Sequence, residues 1–202
     1  TYDLIVITDA DGTYPVYEIP SLVDQAKTFD LVIGSRTGRH YMRHLLLSPM
    51  RTSFLLLTNF VTGEWINDPN SGLRVFKKAD ILPILDRLPT AFSFTTTQTL
   101  IMTLEHRFVR HHPIAYAERL GRSKIRPVRD ALRVGQTLIE VMLHYNPLKL
   151  FLLLSLIMVL PGGAALLTAK SMGVTIAGML MVCSGVLVFA LGMASVTFNQ
   201  KG

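Results

Sequence analysis

Cysteine is all but absent from this chain of 202 residues: Cys183 is the only one, and it stands inside an apolar run. That excludes a disulfide framework and a thiolate metal site. Acidic residues are missing from the C-terminal part. All 14 Asp and Glu precede Leu148, and from Leu148 to Phe198 the only charged side chains are Lys149 and Lys170. The six histidines show no HExxH or other ligand spacing, and His111 and His112 read as strand residues on opposite faces. No internal repeat or secretory leader is recognisable, and no helix-turn-helix, finger or aromatic RNA-binding pattern occurs, so nucleic acid is not an expected partner.

What is present is oily and basic. Half of the residues are apolar, the mean hydropathy is positive and the net charge is +6. The stretches "LKLFLLLSLIMVLPGGAALLT" (148–168) and "VTIAGMLMVCSGVLVFALGMASVTF" (174–198) each match the ~20 residues a helix needs to cross ~30 Å of hydrocarbon. They predict a two-helix transmembrane anchor over 148–198. The first contains Pro161-Gly162-Gly163, a kink that lipid-embedded helices tolerate. A buried hairpin of a large soluble protein is the alternative, disfavoured by so long a run without acids. Lys and Arg are dense just before the first span, which places the preceding domain on the cytoplasmic face of the cell membrane. A basic domain there favours anionic partners such as lipid phosphates and nucleotides.

The N-terminal part alternates strands and helices. "YDLIVITD" (2–9) reads as a strand buried on both faces of a parallel sheet, 19–28 as a helix and "FDLVIGS" (29–35) as a second buried strand. This is a βαβ unit and points to an α/β fold. In such sheets ligands gather at the carboxyl ends of strands, where Asp9, Asp11 and Arg36 fall. Residues 43–63 form an apolar helix carrying Arg43 and Arg51, either on the membrane surface or in the core. Helices are further expected over 94–108 and over 128–147. The latter is an amphipathic juxtamembrane helix with Arg129 and Arg133 four apart on one face.

The stretch "IVITDADGTYP" (5–15) admits two chemistries. In a haloacid-dehalogenase-type phosphatase, Asp9 would attack a phosphoryl group and Asp11 would protonate the leaving group. That fold also needs a later acidic pair for its metal, and neither "DD" nor "GDxxxD" occurs. Alternatively, Asp9 and Asp11, pointing the same way from an extended segment, hold Mg²⁺ or Mn²⁺ against a nucleotide diphosphate. Alone, such a pair is equally compatible with a solvated turn.

Six segments in order weigh on that choice: "DADGTYPVYEIPSLV", "DLVIGSR", "MRTSF", "DPNSGLRVFKK", "FSFTTTQTL" and "ERLGRSKIRPVRD". Over residues 2–135 the chain resembles family 2 glycosyltransferases acting on polyprenyl phosphates, the dolichol-phosphate mannose synthase-like group. The resemblance implies a GT-A (Rossmann-like) catalytic domain over 1–127, present only in its C-terminal part, and inverting transfer of a hexose from a nucleotide-diphosphate sugar to a dolichyl or undecaprenyl phosphate. By position it implies Asp9 and Asp11 as nucleotide and metal carboxylates, Arg36 and Arg51 as holders of the acceptor phosphate, and Arg122 and Lys124 as ligands of the donor diphosphate. Thr13 stands where many relatives have Gln, a better metal ligand. Asp68 matches a proposed catalytic carboxylate, although "DPN" is also a common turn opener. The phosphate nucleophile, largely dianionic at neutral pH, hardly needs a base. The alternative outside enzymes is a membrane module that binds lipid phosphate without transferring anything. A homo-oligomer is compatible with either reading. The chain opens on a strand without Met, as though further strands preceded it, and on its own it is expected to be weakly active or inactive.

Overall fold

The computed structural model describes residues 2–38, 49–89, 93–117 and 127–199. The chain divides into two compact units, Thr1–Leu138 and Ile139–Gly202. The first contains strands β1 (Leu4–Ile7), β2 (Leu31–Thr37), β3 (Arg74–Lys77) and β4 (Val109–Ala115), with helices α1 (Ile19–Gln25), α2 (Pro49–Thr62) and α3 (Phe94–Leu104). Helix α4 (Pro127–Tyr145) crosses the boundary, and α5 (Pro147–Thr168) and α6 (Met172–Asn199) make up most of the second unit.

The sheet order is β1-β3-β2-β4. β3 is antiparallel to both β1 and β2, whereas β2 and β4 are parallel over Leu31–Thr37 and Val109–Ala115. The sheet is therefore mixed. β1 is not the doubly buried strand of a parallel sheet that its apolar run suggested: it stands at the edge with Val6 exposed, and β3 separates it from β2. β1, β2 and β4 nevertheless run the same way, so their carboxyl ends share one end of the sheet with the start of β3. β2 is one of two interior strands, with Leu31, Val32 and Ile33 fully buried. Each such side chain contributes about 1.5–3 kcal/mol by leaving water. Leu22 of α1 and Ala26 just after it pack with Val32, Val75, Leu73, Ile114 and Tyr14 to form the core of one layer.

Helix α3 is built from "FTTTQTLIMTL", whose β-branched threonines favour strands. Back-bonding makes the helix workable. The Thr97 and Thr99 hydroxyls donate to the carbonyls of Ser93 and Thr95, both at 2.9 Å, so hydroxyls buried inside the fold are satisfied. Eight consecutive residues, Thr96 to Thr103, are buried. The exposed face of α4 carries Arg129 and Arg133 as the sequence pattern requires, together with Leu132.

In the second unit Asn146 caps α5, its side chain accepting from the Lys149 N–H at 3.3 Å, and Pro147 occupies the first turn. Among the described residues α5 and α6 are the two helices long and apolar enough to cross a membrane. Only 17% and 11% of their apolar windows are buried, which disfavours a soluble core hairpin. The helices touch through glycine. A Cβ on Gly162 would lie 3.0 Å from the Gly178 carbonyl, and one on Gly178 would lie 3.0 Å from the Gly162 carbonyl. Seven residues further along α6, a Cβ on Gly185 would lie 2.6 Å from Val159 Cγ2 and 3.0 Å from the Ser155 carbonyl. Small residues at such a seam let backbones approach where lipid supplies no hydrophobic drive.

The hairpin yields a paired expectation. Gly185→Ala should destabilise it by about 1–3 kcal/mol through overpacking. Gly163→Ala, whose Cβ meets nothing within 4 Å, should not. Thermal unfolding in detergent micelles, followed by helical circular dichroism, distinguishes the two variants. Equal midpoints for both would contradict the packing described.

Candidate active site

β1 delivers Asp9 just past its carboxyl end, and the chain then turns through Gly12, whose φ of +74° is a left-handed conformation suited to glycine. Asp11 shapes that turn: its Oδ1 accepts from the Thr13 N–H at 3.2 Å and from the Thr13 hydroxyl at 2.6 Å. Thr13 is thus a buried partner of Asp11. The Thr13 carbonyl accepts from the Ala117 N–H at 3.1 Å, tying the aspartate loop to the end of β4.

The "DPNSG" turn enters the site from the opposite strand direction. Gly72 lies directly against Asp9, and a Cβ there would stand 2.5 Å from Asp9 Oδ2 and 2.8 Å from its Cγ. Only glycine leaves room for that carboxylate. The Gly72 N–H donates to the Tyr14 hydroxyl at 2.7 Å. Burial pushes the Tyr14 phenol above its ordinary range, against the opposing pull of Arg36, so it stays protonated at neutral pH. Tyr14 meets Tyr116 edge to face with centroids 5.3 Å apart, and the Arg36 guanidinium lies 5.3 Å from the Tyr116 ring centroid.

Asp68 is fully buried and does not cap its own turn. It takes Arg36 as a fork: Nε donates to Oδ2 and Nη2 to Oδ1, both at 2.7 Å, and the Arg36 backbone N–H adds a third bond to Oδ2 at 3.0 Å. The ion-paired side chains are 19% and 1% exposed, so removing either partner would strand a charge largely out of water, at a cost of about 3–5 kcal/mol. On β4, His111 Nδ1 lies 2.9 Å from the Ser35 hydroxyl. Burial pushes its imidazolium below the usual range, so it is neutral near pH 7. His112 turns the other way, to Gln25 and Glu18, so the two histidines do take opposite faces.

Arg74 is a site residue that sequence reasoning missed. It is completely buried at the start of β3. Its guanidinium donates to the carbonyls of Ser71, Pro69 and Thr95, to Gln98 Oε1 and to the Thr99 hydroxyl. Burial pushes its pKa down to about 10, with Asp68 the largest opposing influence, so it remains a cation at neutral pH. The local pattern holds little signal for it: "RVFK" is buried on both faces at Arg74, Val75 and Phe76, so alternation does not single Arg74 out.

The sequence-derived candidates thus divide. Asp9, Asp11, Arg36 and Asp68 converge at one end of the sheet. Arg51 is exposed in the first turn of α2 and takes no part in the hydrogen bonds joining Arg36, Asp68, Ser71 and Arg74. Arg122 and Lys124 lie outside the described residues. Among the described residues no group of three or more His, Cys, Asp or Glu side chains converges as a metal site. A magnesium- or manganese-type ion typically takes only one or two carboxylates and completes its shell with phosphate oxygens and water, a requirement that Asp9 and Asp11 meet in number.

No family model matches the chain. It is similar to several curated proteins. One is a dolichyl-phosphate hexose transferase of Haloferax volcanii, 27% identical over 145 residues, which are 70% of this chain and 62% of that protein. Another is a low-salt glycan biosynthesis hexosyltransferase of the same organism, 27% identical over 140 residues, 65% of this chain and 33% of that protein. A third is an undecaprenyl-phosphate mannosyltransferase of Micrococcus luteus, 28% identical over 130 residues, 61% of this chain and 54% of that protein. The matches span from a third to just over three-fifths of these relatives, and all three relatives are named as glycosyl-transferring enzymes.

Proposed function

We propose that this chain is part of a membrane-anchored glycosyltransferase that moves a hexose from a nucleotide-diphosphate sugar to a dolichyl or undecaprenyl phosphate. The observation that carries the reading is that Asp9 lies against Gly72 of the same turn whose Asp68 forks Arg36, at the carboxyl ends of β1 and β2. The names of the three relatives support the reaction class and favour neither a phosphatase nor a non-catalytic module.

On this reading the domain is the C-terminal part of a GT-A fold held at the cytoplasmic face of the cell membrane by α5 and α6. An acceptor phosphate oxygen attacks the anomeric carbon as the bond from that carbon to the diphosphate oxygen breaks, and the electron pair leaves with the nucleoside diphosphate. One such displacement inverts the anomeric centre. Arg36, its Nε–Nη2 edge held by Asp68, receives the acceptor phosphate through its delocalised positive charge. Arg51 adds a second cation from α2, and Arg122 and Lys124 take the donor diphosphate. Asp68 orients Arg36 rather than removing a proton, because a phosphate monoester is already largely dianionic at neutral pH. Asp9 and Asp11 would hold Mg²⁺ or Mn²⁺, which would supply positive charge to neutralise the departing diphosphate.

The test is transfer of label from a panel of radiolabelled nucleotide-diphosphate hexoses into extractable lipid, using membranes from cells expressing the chain, with Mn²⁺ or with a chelator. Weak, metal-dependent transfer is expected, with Asp9→Asn reducing it by two orders of magnitude or more, on the order of a lost transition-state electrostatic contact. Transfer that survives Asp9→Asn, or that proceeds equally well with the chelator, would overturn the reading. Gly72→Ala should mimic the loss of Asp9, by about tenfold or more, because its Cβ displaces the carboxylate.

A further inference from the structure

Few groups are as costly to bury as an arginine, and Arg74 is buried without a carboxylate among its hydrogen-bond acceptors. Its acceptors are neutral and come from two places. Ser71 and Pro69 belong to the turn that carries Asp68; Thr95, Gln98 and Thr99 belong to α3. One planar group therefore fastens the turn to a helix that is itself buried.

Gln98 shows what the sequence spends on this arrangement. Its side chain is fully buried; Oε1 accepts from Arg74 Nη1 at 2.9 Å, while Nε2 has no partner among the described residues. An apolar residue there would remove an unsatisfied donor, so the position is explained by the acceptor it offers Arg74. The Thr99 hydroxyl lies within hydrogen-bond distance of the Pro69 carbonyl, and Thr96 bonds the Asn70 side chain, so three successive turn residues, 69–71, are tethered to α3 directly or through Arg74. The residue immediately before this tethered segment is Asp68, whose two oxygens must meet Nε, Nη2 and the backbone N–H of Arg36 together.

The geometry points to Arg74 as a positioning residue: its buried guanidinium fixes the 69–71 turn on α3 so that Asp68 holds Arg36 in the orientation in which it meets a phosphate monoester. The part concerning phosphate rests on the proposed function. The part concerning Arg36 does not.

The experiment reads the two separately in the full chain in micelles, with arginine side chains ¹⁵N-labelled. Hydrogen exchange at Arg36 Nε–H, assigned by its loss in Arg36→Lys, reports the clamp, and titration with geranyl phosphate reports monoester binding. Arg74→Lys keeps the charge and loses the fork, and Gln98→Met removes one acceptor at nearly constant volume, a milder change should the first variant not fold. Both should speed Arg36 Nε–H exchange, Arg74→Lys by about tenfold or more, while the Arg87 Nε–H, on an ion pair to Glu105 elsewhere on the unit, keeps its rate. Geranyl phosphate binding should weaken by a similar factor. Unchanged Arg36 exchange in a folded Arg74→Lys or Gln98→Met chain would overturn the assignment, as would faster exchange at Arg36 and Arg87 alike, the mark of general loosening. Absence of geranyl phosphate binding in the unaltered chain, with the exchange result intact, would overturn the proposed function alone.

Discussion

The candidate site depends on one constraint, that a positive charge sealed inside the protein must have its N–H groups satisfied. Arg74 meets that constraint by collecting carbonyls from the "DPNSG" turn and acceptors from α3, and in doing so it dictates where the turn lies. Asp68 then has a fixed place, Arg36 follows Asp68, and Gly72 passes close enough to Asp9 for the two halves of the site to touch. A run of local hydrogen bonds thereby brings together residues more than sixty positions apart in the chain.

Much of the architecture was legible. The apolar period of α1, the buried run of β2, the amphipathic pattern of α4 and the acid-free lengths of α5 and α6 each reflect a burial requirement written locally. The direction of β3 was not legible. Nothing in "RVFK" distinguishes a strand inserted antiparallel between β1 and β2 from one added at an edge, because that choice is made by the long connection through α2. β1 was misread for a related reason, since a short apolar run looks the same at an edge as in the interior.

The site was half legible. Asp9 and Asp11 announce themselves by spacing, and Arg36 by its place at a strand end. Asp68 was ambiguous because an aspartate before Pro-Asn is satisfied in many proteins by its own turn, whereas here its partner comes from 32 residues upstream. Arg74 carries no motif of its own, and with both faces of β3 buried the local pattern does not set it apart from Lys77. Thr13, read against relatives as a weak metal ligand, gains a local meaning as the residue that turns Asp11.

The fork between Arg36 and Asp68 carries a thermodynamic consequence. Arginine is a long, rotamer-rich side chain, and immobilising one at the moment of encounter typically costs about 0.5–1.5 kcal/mol. Here that ordering is completed while the chain folds, by a carboxylate that stays behind the guanidinium. On the proposed function, an incoming phosphate would meet a guanidinium that is already held, and less of its contact energy would be lost to freezing the receptor.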